Sequence, residues 1–441
     1  MSIASELTAL AANKAAIKTA IEAKNPSTMP TDALSQWPAS IASIGGGGHE
    51  GWIYGYVIDE SNSDPATRVT YIEDNAGFDP LYMDFTNDAL VWGDWQDFVE
   101  EYFRPAMLKS DGTIDYYLDP DDLTKKADGV TASDVANTSY DGNAMLIVKP
   151  IFYNIGRISP TQIRVRFSNV KQGEDWYNWT HLKSDGTYAE FCGWPLFHGT
   201  MVSSKLRSMA TGSVAAVSST QADQYAAATA NGDNWYPTLW ADEMMIRLLF
   251  PLLCKSTDSG ASVGIGTTSG LLAGALADKG GFWGSSTSGH GVKFLWMEYL
   301  WGSINRRSVG INTVEGLIYV KMTPSTIDGS LVGSFKTSDT ASDYENNYMP
   351  TGCTVPQIGN RCISYMYSDM ATAMIPSVHT GDTDFTKYYC DTLYSKSGTR
   401  AVLFGGDSGN GAGAGIFTFS AYDPPSLAYS AYGASLSYHF Y

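Results

Sequence analysis

Apolar residues near the start of the chain recur with the spacing of an amphipathic helix. Over residues 2–24 they form one stripe with steps of three and four positions, and alanine is the commonest residue between them. The stripe consists of Ile3, Leu7, Leu10, Ile17 and Ile21, with Lys14 interrupting it. This heptad-like spacing predicts a helix. Pro26 ends it, because proline cannot continue a helix.

A shorter helical stretch at 31–44 and four glycines at 45–48 follow this helix. Because a run of glycines makes a flexible joint, the pattern predicts a helical attachment or oligomerisation module at 1–44 and a glycine-rich linker at 45–50. A helix with one apolar stripe needs a partner surface. The sequence leaves open whether this helix docks on its own domain or associates with further copies as a stalk.

After the linker the pattern becomes that of short strands. Residues 51–58 alternate in the manner of a strand, and residues 144–153 form an apolar run typical of a buried strand. Three stretches have helical periodicity, namely 92–103, 235–254 and 291–304. Long loops rich in Gly, Ser, Thr and Asp separate these elements.

We therefore expect an α+β fold with two parts after the linker. The first is a small β-rich, mixed α/β segment at 51–139, and the second is a larger domain at 140–441. The sequence leaves open whether 51–139 is a separate domain or part of the larger one.

Composition and charge narrow the functional class. The chain has 441 residues, of which 44% are hydrophobic and 17% charged, and its 44 glycines indicate many turns rather than a helix bundle. The net charge of −18 repels phosphate backbones, so we expect no nucleic-acid partner. Residues 1–25 lack the apolar core of a signal peptide. We expect synthesis in a cytoplasm without a secretion address.

No motif for catalysis or cofactor binding stands out. The six histidines occur in unrelated surroundings without an HExxH motif, and the GxSxG string at 260–264 lacks the preceding strand that a nucleophile elbow needs. The four aspartates of 119–129 lack the spacing of a calcium loop. We expect no cofactor and no catalytic residue, and leave open whether a structural metal is bound. Scattered carboxylates also leave glycosidase chemistry open.

The five cysteines favour free buried thiols, because their number is odd and no CxxC pair occurs. A disulfide between Cys353 and Cys362 remains open.

The C-terminal stretch has an unusual composition. From residue 401 to 441 there is no Lys, Arg, Glu, Gln, Met or Trp, and Tyr, Ser, Gly, Ala, Asp and Asn make up most of it. This mixture is typical of an adaptable recognition surface, because Tyr supplies contact area at low entropic cost and Ser and Asn supply hydrogen bonds. Strand-like apolar residues recur within it, which a disordered tail does not usually keep. A low-complexity tail and a structural sheet edge are the alternatives.

The same stretch, GGDSGNGAGAGIFTFSAYDPPSLAYSAYGASLS, resembles the variable region of proteins served by diversity-generating retroelements. In that family mutagenesis falls on AAY codons, which cannot become Lys, Glu, Gln, Met or Trp codons, and all five are missing here. The fixed positions of the family pattern are matched by Gly405, Gly406, Gly411, Ala414, Gly415, Phe417, Pro425 and Gly433.

Further upstream, DGTIDYYLDPDD, YDGNAMLIVKPIFY, LRSMATG and FLWMEYLWGSINRRSVGI resemble tail-fibre-tip proteins of phages that infect gut bacteria. The opening segment is similar to a short module of phage tail proteins. The resemblance implies a C-type lectin-like fold for 140–441, with a variable region at 400–441. Ser408 stands where family members often carry Trp, and the calcium–sugar motifs EPN, QPD and WND are missing, so calcium-dependent sugar binding is not implied.

The resemblance implies a phage receptor-binding protein, a tail-fibre-tip adhesin in the virion, with no enzymatic step. Its partners would be a host cell-surface receptor, either protein or glycan, and other tail proteins contacted through the N-terminal module. A homotrimer is the expected assembly. A tail-associated polysaccharide depolymerase or other wall-degrading enzyme and a structural tail component are the alternatives. The expected receptor-binding residues are Asp407, Ser408, Asn410, Phe417, Phe419, Ala421, Tyr422, Asp423, Ser426, Tyr429 and Tyr432.

Overall fold

The computed structural model describes residues 50–441 apart from 325 and 332. The predicted helical module at 1–44 and most of the linker at 45–50 therefore lie outside the described residues. Within them, no helix is both long and apolar enough to cross a membrane.

The fold is mostly β, with 33% strand and 12% helix, and part of it is a curled half-barrel. The predicted α+β, C-type lectin-like class is therefore wrong. One reason lies in 291–304, where the sequence pattern predicts a helix. The backbone at Leu295, Trp296 and Tyr299 has positive φ, which is incompatible with a helix. The segment forms two very short paired strands instead, and its aromatic side chains are buried without helical order.

Five helices and twenty-five strands are seen in the described residues. The helices are α1 (Gln96–Tyr102), α2 (Gln221–Thr229), α3 (Trp240–Cys254), α4 (Ser259–Ser262) and α5 (Ala341–Glu345). The first twelve strands are β1 (Ile53–Asp59), β2 (Val69–Glu73), β3 (Tyr82–Asp84), β4 (Ala89–Val91), β5 (Phe103–Lys109), β6 (Ile114–Tyr117), β7 (Gly142–Val148), β8 (Phe152–Ser159), β9 (Gln162–Ser168), β10 (Cys192–Pro195), β11 (Thr200–Val202) and β12 (Lys205–Arg207). The others are β13 (Trp235–Pro237), β14 (Lys293–Phe294), β15 (Met297–Glu298), β16 (Asn305–Val314), β17 (Leu317–Val320), β18 (Met349–Thr354), β19 (Arg361–Met366), β20 (Pro376–His379), β21 (Thr392–Ser395), β22 (Thr399–Phe404), β23 (Phe419–Ala421), β24 (Tyr432–Ala434) and β25 (Leu436–Tyr438).

Three larger sheets organise these strands. A four-stranded sheet has the order β2-β1-β9-β8, and a six-stranded sheet has the order β13-β25-β10-β7-β5-β6. A nine-stranded sheet runs β18-β17-β16-β22-β23-β21-β19-β20, with β24 pairing beside β16. In the first two sheets, β1 pairs with β9 and β5 pairs with β7. The segment 51–139 thus shares its sheets with the later chain.

Helix α3 forms the centre of the core. All fifteen of its residues are buried, as expected for a helix that is apolar on nearly every face. The hydroxyl groups of Tyr56 and Tyr71 in the four-stranded sheet donate hydrogen bonds to the backbone oxygens of Leu248 and Leu252. On another face, buried Arg247 donates to the carbonyl oxygen of Thr418 at 2.6 Å. The helix therefore connects the first sheet to the C-terminal part of the chain.

The C-terminal segment joins two sheets. Strands β22 and β23 belong to the nine-stranded sheet, β24 runs parallel to the start of β16, and β25 lies between β10 and β13 in the six-stranded sheet. The sequence leaves two alternatives to a recognition surface for this segment, a low-complexity tail and a structural sheet edge. A low-complexity tail is excluded, because residues 399–438 contribute four strands to two sheets.

Candidate functional site

Two loops of the C-terminal segment form one continuous region beside β16. The first loop, residues 405–418, connects β22 to β23, and the second, residues 422–431, connects β23 to β24. Because β22 pairs with β16 on one side and β24 pairs with the beginning of β16 on the other, the two loops leave the same part of the sheet. This topology brings together residues of both loops.

The first loop begins with a turn that requires glycine. Gly405 and Gly406 have φ of 85° and 69°, a backbone region that residues other than glycine adopt only at a cost in free energy. A Cβ atom on Gly405 would also lie 2.2 Å from the carbonyl oxygen of Leu300. Gly405 and Gly406 therefore have a backbone role.

A capping interaction fixes the short 3-10 helix that follows, Ser408–Gly413. The backbone N–H of Asp407 donates to Oδ1 of Asn410 at 2.9 Å, and the N–H of Gly409 donates to Oδ1 of Asp407 at 2.8 Å. The amide of Asn305 donates to the other carboxylate oxygen of Asp407 at 2.8 Å. Asp407 is thus held in one orientation and keeps spare acceptor capacity on both oxygens.

A buried arginine of β16 holds the second loop. Arg307 is 1% exposed, and its guanidinium donates to the carbonyl oxygen of Ser219 at 2.7 Å and to that of Leu427. It also lies over the ring of Tyr432, with Cζ 5.2 Å from the ring centroid. Burial lowers the pKa of Arg307 to about 10, and Tyr432 and Asp423 oppose that shift, so the side chain remains a cation at neutral pH.

Three side chains of the second loop and β24 pack on one another. The hydroxyl of Tyr432 donates to Oδ2 of Asp423, and burial followed by this carboxylate raises the pKa of Tyr432. The rings of Tyr429 and Tyr432 make an edge-to-face contact with centroids 5.1 Å apart. Tyr429 is 51% exposed, so this cluster presents an aromatic face to solvent.

Two cavities adjoin these loops. The first cavity, of about 390 Å³, has in its lining His198, Ser269, Leu271, Ser303, Asp407 and Tyr429. The second cavity, of about 130 Å³, has in its lining Asn305, Tyr394, Asp407, Asn410 and Tyr432. Asp407 lines both and forms the boundary between them.

The structure brings together five of the expected binding residues at these cavities. Asp407, Ser408 and Tyr429 line the first, and Asp407, Asn410 and Tyr432 line the second. The remaining three accessible residues, Tyr422, Asp423 and Ser426, lie on the second loop outside the cavity linings.

The ring of Tyr422 lies at a tilt against that of Tyr394, with centroids 4.5 Å apart, and Nζ of Lys396 lies over the Tyr422 ring, 5.3 Å from its centroid. The backbone N–H of exposed Ser426 donates to Oδ1 of Asp339 at 2.9 Å. These residues extend the accessible region along the loop. We call the eight accessible residues the C-terminal surface: Asp407, Ser408, Asn410, Tyr422, Asp423, Ser426, Tyr429 and Tyr432.

Three of the expected binding residues cannot contact a receptor in this fold. Phe417, Phe419 and Ala421 are each 0% exposed. The ring of Phe417 packs on Phe250 of α3, and that of Phe419 packs on Phe404. Their assignment to the binding surface is corrected to a core role. Alternation along β23 turns Phe419 and Ala421 inward, and Phe417, in the turn before this strand, is buried against α3.

Sequence reasoning missed the parts of the cavities contributed by distant segments. His198, Ser269 and Leu271 of the first cavity and Asn305 and Tyr394 of the second come from loops and strands far from the C-terminal segment in sequence. No local motif marks these positions. The pairing of β24 with β16 brings Asn305 to the C-terminal segment, and the pairing of β21 with β23 brings Tyr394 there.

The buried cluster of Cys192, Asp242 and His439 has the ligand types of a metal site. One ligand atom from each lies within 4.8 Å of the others, and all three residues are buried. The imidazole contacts Thr180 O at 2.9 Å through Nδ1 and Asp242 Oδ2 at 3.1 Å through Nε2. Both ring nitrogens of His439 therefore already have a polar partner within the protein.

Other expectations about chemistry have clear outcomes. All five cysteines are free thiols, so the Cys353–Cys362 disulfide is not formed. Ser262 of the GxSxG string ends α4, and its hydroxyl donates to the carbonyl oxygen of Asp258 at 2.7 Å rather than facing a base. Comparison with known proteins finds no family model that matches the chain and no match among curated proteins.

Proposed function

We propose that this protein is a phage receptor-binding protein, a tail-fibre-tip adhesin whose C-terminal surface binds a receptor on the host cell. The observation that carries the proposal is that five of the eight residues of the C-terminal surface line two cavities, with Asp407 shared by both. The resemblance of 405–437 to retroelement-diversified regions supports the phage assignment, and a location in the virion follows from it.

In the C-terminal segment the buried residues are distinct from the accessible ones. This separation supports the proposal, because side chains on the surface can be exchanged without unfolding the protein. The buried residues Phe417 and Phe419 and the constrained Gly405 belong to the framework, whereas Ser408, Ser426 and Tyr429 are exposed. Exchange of side chains at exposed positions usually alters stability little. A framework of this kind can therefore present many alternative surfaces on one fold.

The chemistry of the surface favours binding without a covalent step. Tyr422, Tyr429 and Tyr432 offer aromatic faces, and Asp407, Ser408 and Asn410 offer hydrogen-bonding groups. Tyrosine and small polar residues make contact area and adaptable hydrogen bonds at low entropic cost. If the N-terminal module forms a trimer, three weak sites would bind a repeated receptor with higher avidity.

The test is adsorption of the purified full chain, or of phage carrying it, to host cells. The double variant Tyr422→Ala/Tyr429→Ala removes two accessible rings and should reduce binding at least tenfold, because aromatic anchors dominate such interfaces. Tyr82→Ala is the matched control, since Tyr82 is 43% exposed and lies on β3, outside the C-terminal surface. Equal binding by both variants and the wild type would reject the site.

The same preparation distinguishes the enzymatic alternative. Incubation with host surface polysaccharide should release no new reducing ends if the protein only binds. Sequencing of codons 400–441 in several phage lineages tests the structural alternative, because a structural tail component should not vary selectively at the eight accessible positions.

A further inference from the structure

Apolar side chains line much of the first cavity, and several of them are open to solvent. The larger ones belong to Val214, Val217, Leu271, Ile304 and Tyr429. Val214 is 58% exposed and Tyr429 is 51% exposed. A single exposed apolar side chain is common on a protein surface, but several around one depression indicate an interaction site. The rim of the cavity is therefore available to a partner.

One wall of this cavity carries an uncompensated negative charge. Asp407 contributes a carboxylate, and none of the lining residues is Lys or Arg. Burial lowers the pKa of the His198 imidazole in the same lining to about 4, although its hydrogen bond to the Ser213 backbone opposes the shift, so the ring is uncharged at neutral pH. The groups that donate to the carboxylate, the amide of Asn305 and the backbone N–H of Gly409, are neutral.

The carboxylate suits a guanidinium in particular. Each of its oxygens accepts one hydrogen bond within the protein and keeps capacity for another. A planar guanidinium donates two parallel hydrogen bonds to two carboxylate oxygens, whereas an ammonium binds as a point charge. The neighbouring ring of Tyr429 offers a face that attracts cations. The net charge of −18 adds a long-range field that favours a cationic partner.

We propose that the first cavity receives a surface loop of a protein receptor, in which an apolar side chain enters the cavity and an adjacent arginine binds the carboxylate of Asp407. This inference rests on the proposed function, because it names the receptor class of the same surface. Burial of the apolar side chain supplies affinity, and the charged pair fixes register and specificity. Neutral sugars carry no cation and acidic sugars would be repelled by Asp407, so this chemistry favours a protein over a glycan.

The first test is titration of the full chain with blocked dipeptides, followed by ligand-observed NMR. The probe is acetyl-Leu-Arg-amide. Acetyl-Gly-Arg-amide lacks the apolar side chain, and acetyl-Leu-Glu-amide reverses the charge. We expect the Leu-Arg peptide to bind and each comparison peptide to bind about tenfold more weakly, because each loses one of the two interactions. No binding of the Leu-Arg peptide, or equal binding of the Leu-Arg and Leu-Glu peptides, would overturn the inference.

Two variants of the cavity assign the two interactions to residues. Val214→Ser should weaken the Leu-Arg peptide several-fold, because it removes apolar contact area. Val130→Ser is its matched control, since Val130 is 83% exposed and lies between β6 and β7, outside the cavity lining, and it should bind as the wild type does.

Asp407→Asn should lose most of the preference for the Leu-Arg over the Leu-Glu peptide. This ratio is a readout that a merely disturbed loop would not change, because such a loop would weaken both peptides alike. An unchanged preference in Asp407→Asn, or an unchanged affinity in Val214→Ser, would contradict the proposed arrangement.

Cell adsorption keeps failure of this inference distinct from failure of the proposed function. Protease treatment of host cells should abolish adsorption of the full chain, and periodate oxidation of their glycans should not. Adsorption that persists after protease treatment and is lost after periodate would overturn the protein receptor in favour of a glycan, with the proposed function intact. Adsorption that is unchanged in Tyr422→Ala/Tyr429→Ala would reject the function itself.

Discussion

Glu243 of α3 and Arg306 of β16 form a buried, two-pronged ion pair beneath the C-terminal surface. Nη1 of Arg306 lies 2.8 Å from Oε1 of Glu243, and Nη2 lies 3.1 Å from Oε2. Glu243 is 1% and Arg306 is 3% exposed. Arg306 is also opposite Gly433 in the pairing of β16 with β24. The pair therefore connects the central helix to the strand on which the second loop ends.

Removal of one charge from this pair should be costly. Glu243→Gln leaves the Arg306 guanidinium buried without a counter-charge, and loss of one partner of a buried pair typically costs about 3–5 kcal/mol. We expect the free energy of unfolding, measured by urea titration, to fall by about that amount. Glu174→Gln removes the exposed partner of Lys171 and should leave the urea midpoint unchanged. Similar midpoints for the two variants would contradict the structural importance of the Glu243–Arg306 pair.

Local patterns in the sequence predicted several elements but not their assembly. The helical periodicity at 92–103 and 235–254 corresponds to α1 and α3, and the alternation at 51–58 corresponds to β1. Periodicity reports which side of an element is apolar, which is a local property. It does not report that β1 pairs with β9 more than a hundred residues later, and such pairings define the fold.

Substitution of Gly405 by alanine should lower the free energy of unfolding more than the same substitution at Gly411. Gly405→Ala would place a side chain at a φ of 85° and 2.2 Å from the carbonyl oxygen of Leu300. We expect a loss of about 3 kcal/mol or more in the free energy of unfolding, from positive φ and steric overlap together. Gly411→Ala meets no atom within 4 Å, so it should cost only the strain of its backbone at φ 54° and ψ −130°, about 2 kcal/mol.

Urea titration of the two glycine variants provides the measurement. Equal losses would mean that positive φ alone determines the cost and that the contact with Leu300 relaxes freely.

The guanidinium of Arg307 should be irreplaceable by lysine. Its two Nη atoms bind the backbone oxygens of Ser219 and Leu427, which lie in different segments, and a single ammonium cannot reproduce that fork. We expect Arg307→Lys to lower the free energy of unfolding by about 2 kcal/mol and to reduce cell adsorption, because the second loop loses its anchor. Arg361→Lys is the control, since Nη1 of Arg361 binds only the neighbouring carbonyls of residues 359 and 360. Normal adsorption by Arg307→Lys would show that the loop is ordered without this anchor.

The candidate site was predictable only in part, because local sequence patterns do not report which distant residues the fold brings together. The Tyr, Ser and Asp composition of 401–441 indicated a recognition surface, and Asp407 and Tyr429 do line a cavity. Composition does not distinguish inward from outward positions on a three-residue strand, so buried Phe419 was assigned to the surface. His198 shares no local pattern with the C-terminal segment, and it lies beside that segment in the first cavity only because of the tertiary fold.

The free energy of unfolding should fall in mild acid because of the buried histidine His181. His181 is 2% exposed, and its Nε2 lies 2.8 Å from the carbonyl oxygen of Val148. Burial lowers the pKa of His181 from 6.5 to about 4; the nearby His439 also lowers it, whereas the Val148 carbonyl and Asp242 oppose the shift. Between these two pH values the unfolded chain binds the proton more readily than the folded protein. The stabilisation is therefore complete above pH 6.5 and decreases as the pH falls towards 4.

His181→Gln isolates this contribution, because glutamine can donate to the Val148 carbonyl but does not titrate. Between pH 7 and pH 5 the wild type should lose about 2 kcal/mol more free energy of unfolding than the variant, which follows from the shifted pKa and 1.36 kcal/mol for each pKa unit. Urea titrations at pH 7, 6 and 5 measure the difference, and other titrating groups cancel because both proteins contain them. Parallel pH profiles for the wild type and His181→Gln would mean that His181 takes up its proton in the folded state as readily as in the unfolded chain.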